Sequence, residues 1–168
     1  ILLFSTLGIF VLSSSADLIT LFLGLELMVM PAYILTGFHK TDRFSNEGGL
    51  KYFLLGSFAS AILLFGIAWT YGLTGSTVFT EIAEVFAGGL MNGAVLVAIG
   101  FLTVGATFKA AAVPFHFWTP DAYQGAPTPV VAFMASATKV AGFAALLRVF
   151  EMAFPLYRDD WRPLVWIL

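Results

Sequence analysis

VVAFMASATKVAGFAALLRVF runs from Val130 to Phe150, with Lys139 near its middle and Arg148 close to its far end. A stretch of about 20 apolar residues is what a helix needs to cross the hydrocarbon of a bilayer. Lipid satisfies no backbone N–H or C=O, so only helices and closed barrels cross it. Barrel strands are about 9–11 residues long and alternate apolar with polar positions. This run is continuously apolar and about twice that length, which leaves a helix. An ammonium at mid-depth costs at least about 2.5 kcal/mol, so Lys139 needs a reason to be there.

The same pattern recurs along the chain. Ile1 to Leu12 reads as the end of one span, closed by Ser13, Ser14 and Ser15. Asp17 is a helix start signal, and Leu18 to Phe38 reads as a second span with Glu26 inside it. His39 to Asn46 is a polar loop. Gly49 to Leu73 reads as a third span, with Lys51 near its start. Thr74 to Asn92 is a longer loop with a short interfacial helix at Ile82 to Phe86. Gly93 to Val113 reads as a fourth span carrying Lys109, and the opening run, from about Pro129, as a fifth. Trp161 begins a sixth. A chain that starts and stops inside apolar runs reads as a fragment of a longer protein, with residues 1–168 forming a single transmembrane domain.

Composition agrees. Of 168 residues, 60% are hydrophobic and 11% charged, against about 45–50% and about 25% in soluble domains. No basic run speaks for nucleic acid. These residues contain no cysteine, which excludes disulfides and thiolate-held iron–sulfur clusters among them. His39 and His116 lie in different segments, so no histidine pair has ligand spacing, and no metal or cofactor site is expected. Lys40 and Arg43 favour loop 39–46 as cytoplasmic, whereas Arg148, Arg158 and Arg162 vote for the opposite side.

Glu26 lies roughly 12 Å into its helix and Lys139 roughly 15 Å past Pro129, at 1.5 Å per residue. Lys109 stands close to Pro114, and Lys51 is near enough to its helix start to snorkel. One reading is a set of ion pairs that lock helices together. The other is a proton path, the usual meaning of ionisable groups in spans. Proton chemistry suits a lysine near a carboxylate: at 4 Å the pair interacts by about 4 kcal/mol at an effective dielectric of 20. A change in the spacing of Glu26 and Lys109 therefore switches proton affinity.

VPFHFWTPDAYQGAPTP holds Pro114, Pro120, Pro127 and Pro129. Pro114 cannot donate to a helical ladder and disfavours helix at Val113. The segment is either an interfacial loop with an aromatic belt or a discontinuous helix, with non-helical backbone at about Ala112–Phe115 and a second half near Phe115 to Gln124. Transporters place such breaks at midplane sites.

LGLELMVMPAYIL, LKYFLLGSFASAILLFGIAWTYGLTGS and GATFKAAAVPFHFWTPDAYQGAPTPVVAFMASATKVAGF together resemble the subunit N family of bacterial-type NADH:quinone oxidoreductase, respiratory complex I. Sister antiporter-like subunits usually carry a His-Thr-Trp-Leu-Pro-Asp-Ala version of the FHFWTPDA stretch; Phe117 and Thr119 stand here instead. The resemblance implies an all-α integral membrane fold, the first five-helix inverted repeat of an antiporter-like subunit, with a proton-conducting transporter domain over about 15–168 and a discontinuous helix at Lys109–Tyr123. It implies a cytoplasmic loop 39–46 and a multi-pass place in the cell inner (plasma) membrane. It also implies proton translocation by Glu26, Lys109, Lys139 and Lys51, coupled to quinone reduction. Flavin, iron–sulfur clusters, NADH and quinone are then expected in other subunits of the complex, the partners of this chain in the lipid bilayer. A multisubunit cation/proton antiporter, a membrane-bound hydrogenase and a non-conducting structural subunit are the competing readings.

Overall fold

The structure is a computed structural model that describes residues 1–89 and 93–167. Residues 90–92, at the end of the 74–92 loop, and Leu168, at the end of the sixth apolar run, lie outside the described residues. Among the described residues the secondary structure is helical apart from one isolated bridge between Asp17 and Val78.

Helix α1 (Leu2–Ser14) and helix α2 (Leu18–Thr36) form a tight hairpin. Gly8 and Gly24 let the two backbones meet: a Cβ on Gly8 would press on Met28, and one on Gly24 would lie 2.6 Å from the Leu12 nitrogen. Small residues are how membrane helices approach closely. Ser5 Oγ adds a hydrogen bond to the Met28 carbonyl at 2.6 Å. Asp17 caps α2, accepting from the Thr20 N–H at 2.8 Å and the Thr20 hydroxyl at 2.6 Å.

Helix α3 (Arg43–Thr74) starts six residues before the expected Gly49, because Asp42 caps it through the Phe44 N–H. Half of the expected 39–46 loop is therefore helix. Its 32 residues span about 48 Å, well beyond the hydrocarbon core of about 30 Å. It ends on Gly75 at φ 73, a left-handed cap suited to glycine. Helix α4 (Phe79–Ala87) is the short interfacial helix, somewhat longer than Ile82–Phe86, and buries Phe79, Ile82 and Phe86.

Helix α5 (Gly93–Ala110) packs along α3 and stops three residues before the expected Val113. Gly105 permits this contact, since a Cβ there would meet Leu63. Helix α6 (Thr119–Gly125) then lies against the start of α3. The fifth run departs from expectation. It begins at Thr128 and is divided at Ser136, with φ −110 and ψ −79, into α7 (Thr128–Ala135) and α8 (Ala137–Arg148). A π-helical turn (Val149–Ala153) and a 3₁₀ turn (Pro155–Tyr157) lead to α9 (Arg158–Ile167), which starts before Trp161. Among the described residues, four segments are long and apolar enough to cross a membrane: Leu18–Thr36, Arg43–Thr74, Gly93–Ala110 and Thr128–Ala153.

Direction follows from the turns. The Leu18 N–H bonds to the Thr77 carbonyl, the Phe79 N–H to the Ala16 carbonyl, and the Arg148 side chain to the Ser15 carbonyl. The α1–α2 turn, the α3–α4 turn and the end of α8 therefore share one end of the bundle. Residues 37–42 and α6 occupy the other.

Candidate functional site

Helix α5 ends inside the bundle rather than at its surface. Its last turn lies beside Gly56 of α3, about 20 Å from the start of that helix at 1.5 Å per residue. Beyond Ala110 the chain turns through Ala111 at φ 58, a left-handed value uncommon for a residue with a Cβ. The Val113–Pro114 peptide is cis. Non-helical backbone extends to Trp118, so the discontinuous-helix reading holds over the interfacial-loop reading. The second half runs Thr119–Gly125 rather than from Phe115.

Lys109 sits in the last turn before this break and is 4% exposed. Its ammonium faces the partly buried Glu26 carboxylate at 3.7 Å, the arrangement expected of two opposite charges within spans. The pair is not in direct hydrogen-bond contact. Lys109 Nζ donates instead to Ser60 Oγ at 2.9 Å, Tyr33 Oη at 3.1 Å and the Gly56 carbonyl at 3.3 Å. Ser60 Oγ is 2.5 Å from Glu26 Oε1. Gly56 is glycine because a Cβ there would collide with the Tyr33 hydroxyl.

Lys139 is apart from this pair. Its Nζ is buried, has no hydrogen-bond partner among the described residues, and lies 4.6 Å from the centre of the Trp118 ring. A desolvated cation over an indole face gains about 2 kcal/mol. Trp118 is clamped in turn, stacked on Tyr52 at 4.2 Å and on Phe108 at 5.7 Å, with its indole N–H on the Phe108 carbonyl. Tyr52 meets Tyr33 edge-on at 4.6 Å. An aromatic stack thus leads from the Lys109 site to Lys139. The small Gly142, one turn on from Lys139, packs against Ala110.

Lys51 is elsewhere and partly exposed. It pairs with Glu47 at 2.7 Å, one turn back on α3, and with Asp121 of α6 at 2.8 Å. The structure therefore brings Glu26 and Lys109 together, links Lys139 to them through aromatic rings, and leaves Lys51 in an ion triad at the α3–α6 end. Sequence reading missed Tyr33, Ser60, Gly56 and Trp118 as parts of the site. Only Trp118 carried a signal, as an aromatic in the proline-rich stretch beside Lys109.

A multi-helix membrane domain with a buried ammonium opposite a partly buried carboxylate at a broken helix defines the class: an antiporter-like transmembrane domain. Residues 15–168 match the model of the family described as NADH:quinone oxidoreductase/Mrp antiporter, transmembrane, and the chain belongs to that family. It is 49% identical over 170 residues to NADH-quinone oxidoreductase subunit N of Trichlorobacter lovleyi, covering 100% of this chain and 35% of that protein. Respiratory complex I from Thermus thermophilus contains a chain similar to it at 47% identity, with a TM-score of 0.77 over 88% of this chain and 32% of that one. A chain of the Mrp complex from a Dietzia species is similar at 27% identity and a TM-score of 0.80, covering 91% of this chain and 29% of that one. The chain spans about a third of the length of these relatives.

Proposed function

We propose that the chain is a proton-conducting part of a membrane subunit of bacterial-type NADH:quinone oxidoreductase. Glu26, Lys109, Lys139 and Lys51 carry its protons, and the pumping is coupled to quinone reduction. The observation that carries the reading is Lys109, a buried ammonium held opposite Glu26 where a helix stops within the membrane. A structural lock needs only a direct ion pair, whereas this pair is bridged by the Ser60 hydroxyl and sits at the end of a broken helix. Lys51 exchanges protons at the α3–α6 mouth, the Glu26–Lys109 pair holds a proton midway, and Lys139 takes it beyond Trp118.

Redox chemistry belongs to other subunits in this reading: NADH, flavin, iron–sulfur clusters and quinone bind elsewhere, and this chain has no redox centre. Its partners are the other membrane subunits of the complex and the lipid of the cell inner membrane. The likeness to a Mrp complex chain supports a cation/proton antiporter subunit as the second reading. Neighbouring genes for flavin and iron–sulfur subunits, or for antiporter subunits, separate the two.

The test uses the purified complex in vesicles, with NADH-driven acidification measured beside subunit content. Lys139→Ala is expected to assemble, because it removes a buried charge and keeps a helix former, and to lose most of the pumping. Lys139→Arg still stacks on Trp118 but does not release its proton, so it is expected to fail too. An arginine variant pumping at the parental rate sinks the titrating role; an alanine variant missing from the membrane favours a structural one.

A further inference from the structure

Glu26 and Lys109 meet through a third residue. Their closest atoms are 3.7 Å apart, beyond hydrogen-bond range, and the Ser60 hydroxyl fills the gap. It accepts from Lys109 Nζ at 2.9 Å and stands 2.5 Å from Glu26 Oε1, the short end of the range for a hydroxyl on a carboxylate. Ser60 is buried, at 7% exposure, so the hydroxyl is committed to these partners.

The bland account is that a helical serine merely bonds back to the carbonyl four residues earlier. Thr36, Thr70, Thr103 and Thr107 all do so in this chain, and Ser60 has that option as well, with the Gly56 carbonyl at 2.9 Å. Those threonines have no charged partner among the described residues, whereas Ser60 touches both members of the ion pair. One hydroxyl proton faces two acceptors, the Glu26 carboxylate and the Gly56 carbonyl.

Building on the proton-translocation reading, we propose that Ser60 is the relay residue through which the Glu26–Lys109 pair passes its proton. A proton leaves Lys109 Nζ for Ser60 Oγ while the Ser60 hydroxyl proton moves to Glu26 Oε1. One N–H and one O–H bond break; a new O–H forms on the serine and another on the glutamate. The ammonium and carboxylate become an amine and a carboxylic acid, and the serine is restored. No heavy atom needs to travel. With the hydroxyl turned to the Gly56 carbonyl, the bridge to Glu26 is open and the transfer stops.

The test compares Ser60→Ala, Ser60→Thr and Lys109→Ala in the full-length subunit within the purified complex, reading NADH-driven acidification of vesicles and subunit content. The expected result is an assembled Ser60→Ala complex that pumps about a hundredfold more slowly, the low side of what a positioned proton carrier contributes. Ser60→Thr, which keeps the hydroxyl, is expected to return to within about twofold of the parent. A Ser60→Ala complex pumping at the parental rate while Lys109→Ala does not pump overturns the relay and leaves the site reading intact. A Lys109→Ala complex that pumps normally overturns the site reading, and the relay with it. Loss of the subunit in both Ser60 variants, or an assembled Ser60→Thr complex as slow as Ser60→Ala, also overturns the relay, because the hydroxyl is then not what the position supplies.

Discussion

Lys109 places its N–H groups on three oxygens, whereas Lys139 has an aromatic face alone. Removing one partner of the first leaves the others to hold it. By becoming neutral the second gives up only its contact with the Trp118 face. Outside the spans, Asp17 shows how much one side chain secures. Burial acts to raise its carboxyl, but hydrogen bonds from the Thr20 hydroxyl and from the Thr20 and Ile19 N–H groups together hold it below its ordinary value. The capping contribution is therefore complete above the unfolded value of about 3.9 and is lost as pH falls through the lower folded value. Asp17→Ala is expected to destabilise by about 1 kcal/mol at neutral pH, and Asp17→Asn by less, because asparagine caps nearly as well. The gap between parent and Asp17→Ala in thermal midpoint should close when the medium is taken well below pH 4; a gap unchanged down to that pH refutes the cap's dependence on charge.

Helix α3 is the element on which the site is built. Ser60 and Gly56 are one turn apart, and both face α5. The turn is open because Gly56 has no Cβ, which admits the Tyr33 hydroxyl from α2. Gly56→Ala is expected to push Tyr33 away and cost about 1–3 kcal/mol, the usual effect of overfilling a packed contact. Adding Tyr33→Phe should recover part of that stability, since the tightest contact is with the hydroxyl while ring carbons at 2.8 and 2.9 Å remain, and it does not restore the hydrogen bond to Lys109. Thermal unfolding of the two single variants and the double variant measures the coupling; strictly additive losses rule out the clash. The division between α7 and α8 falls at Ser136, whose hydroxyl bonds back to the Ala132 carbonyl. The apolar run from Val130 to Phe150 gives no sign of it, because hydropathy records composition and not backbone direction.

The bundle has two distinct ends, and its outer faces expose Leu3, Phe58, Val140 and Trp166, a surface suited to lipid or to further helices. Ser15, Thr77 and Arg148 gather at one end; Thr41 and α6 lie at the other. Thr41→Cys and Ser76→Cys are therefore expected to react with a membrane-impermeant thiol reagent from opposite sides, one in intact cells and the other in inverted vesicles. These 168 residues contain no cysteine of their own to compete. Labelling of both from the same side contradicts the fold.

The spans and the buried charges were legible in the sequence because hydrocarbon is an unforgiving solvent. It demands long apolar helices, and it makes Glu26, Lys109 and Lys139 conspicuous by their cost. Pro114 marked the break because a missing N–H is a local fact. How the charges are joined was not legible. Ser60 meets Glu26 across 34 positions and Lys109 across 49, and Tyr33 meets Lys109 across 76. Serine, tyrosine and glycine are ordinary residues in a membrane helix, so nothing local distinguishes these from their neighbours. Their roles come from the close packing of α2, α3 and α5, which places a hydroxyl between two charges that the sequence shows only as separate.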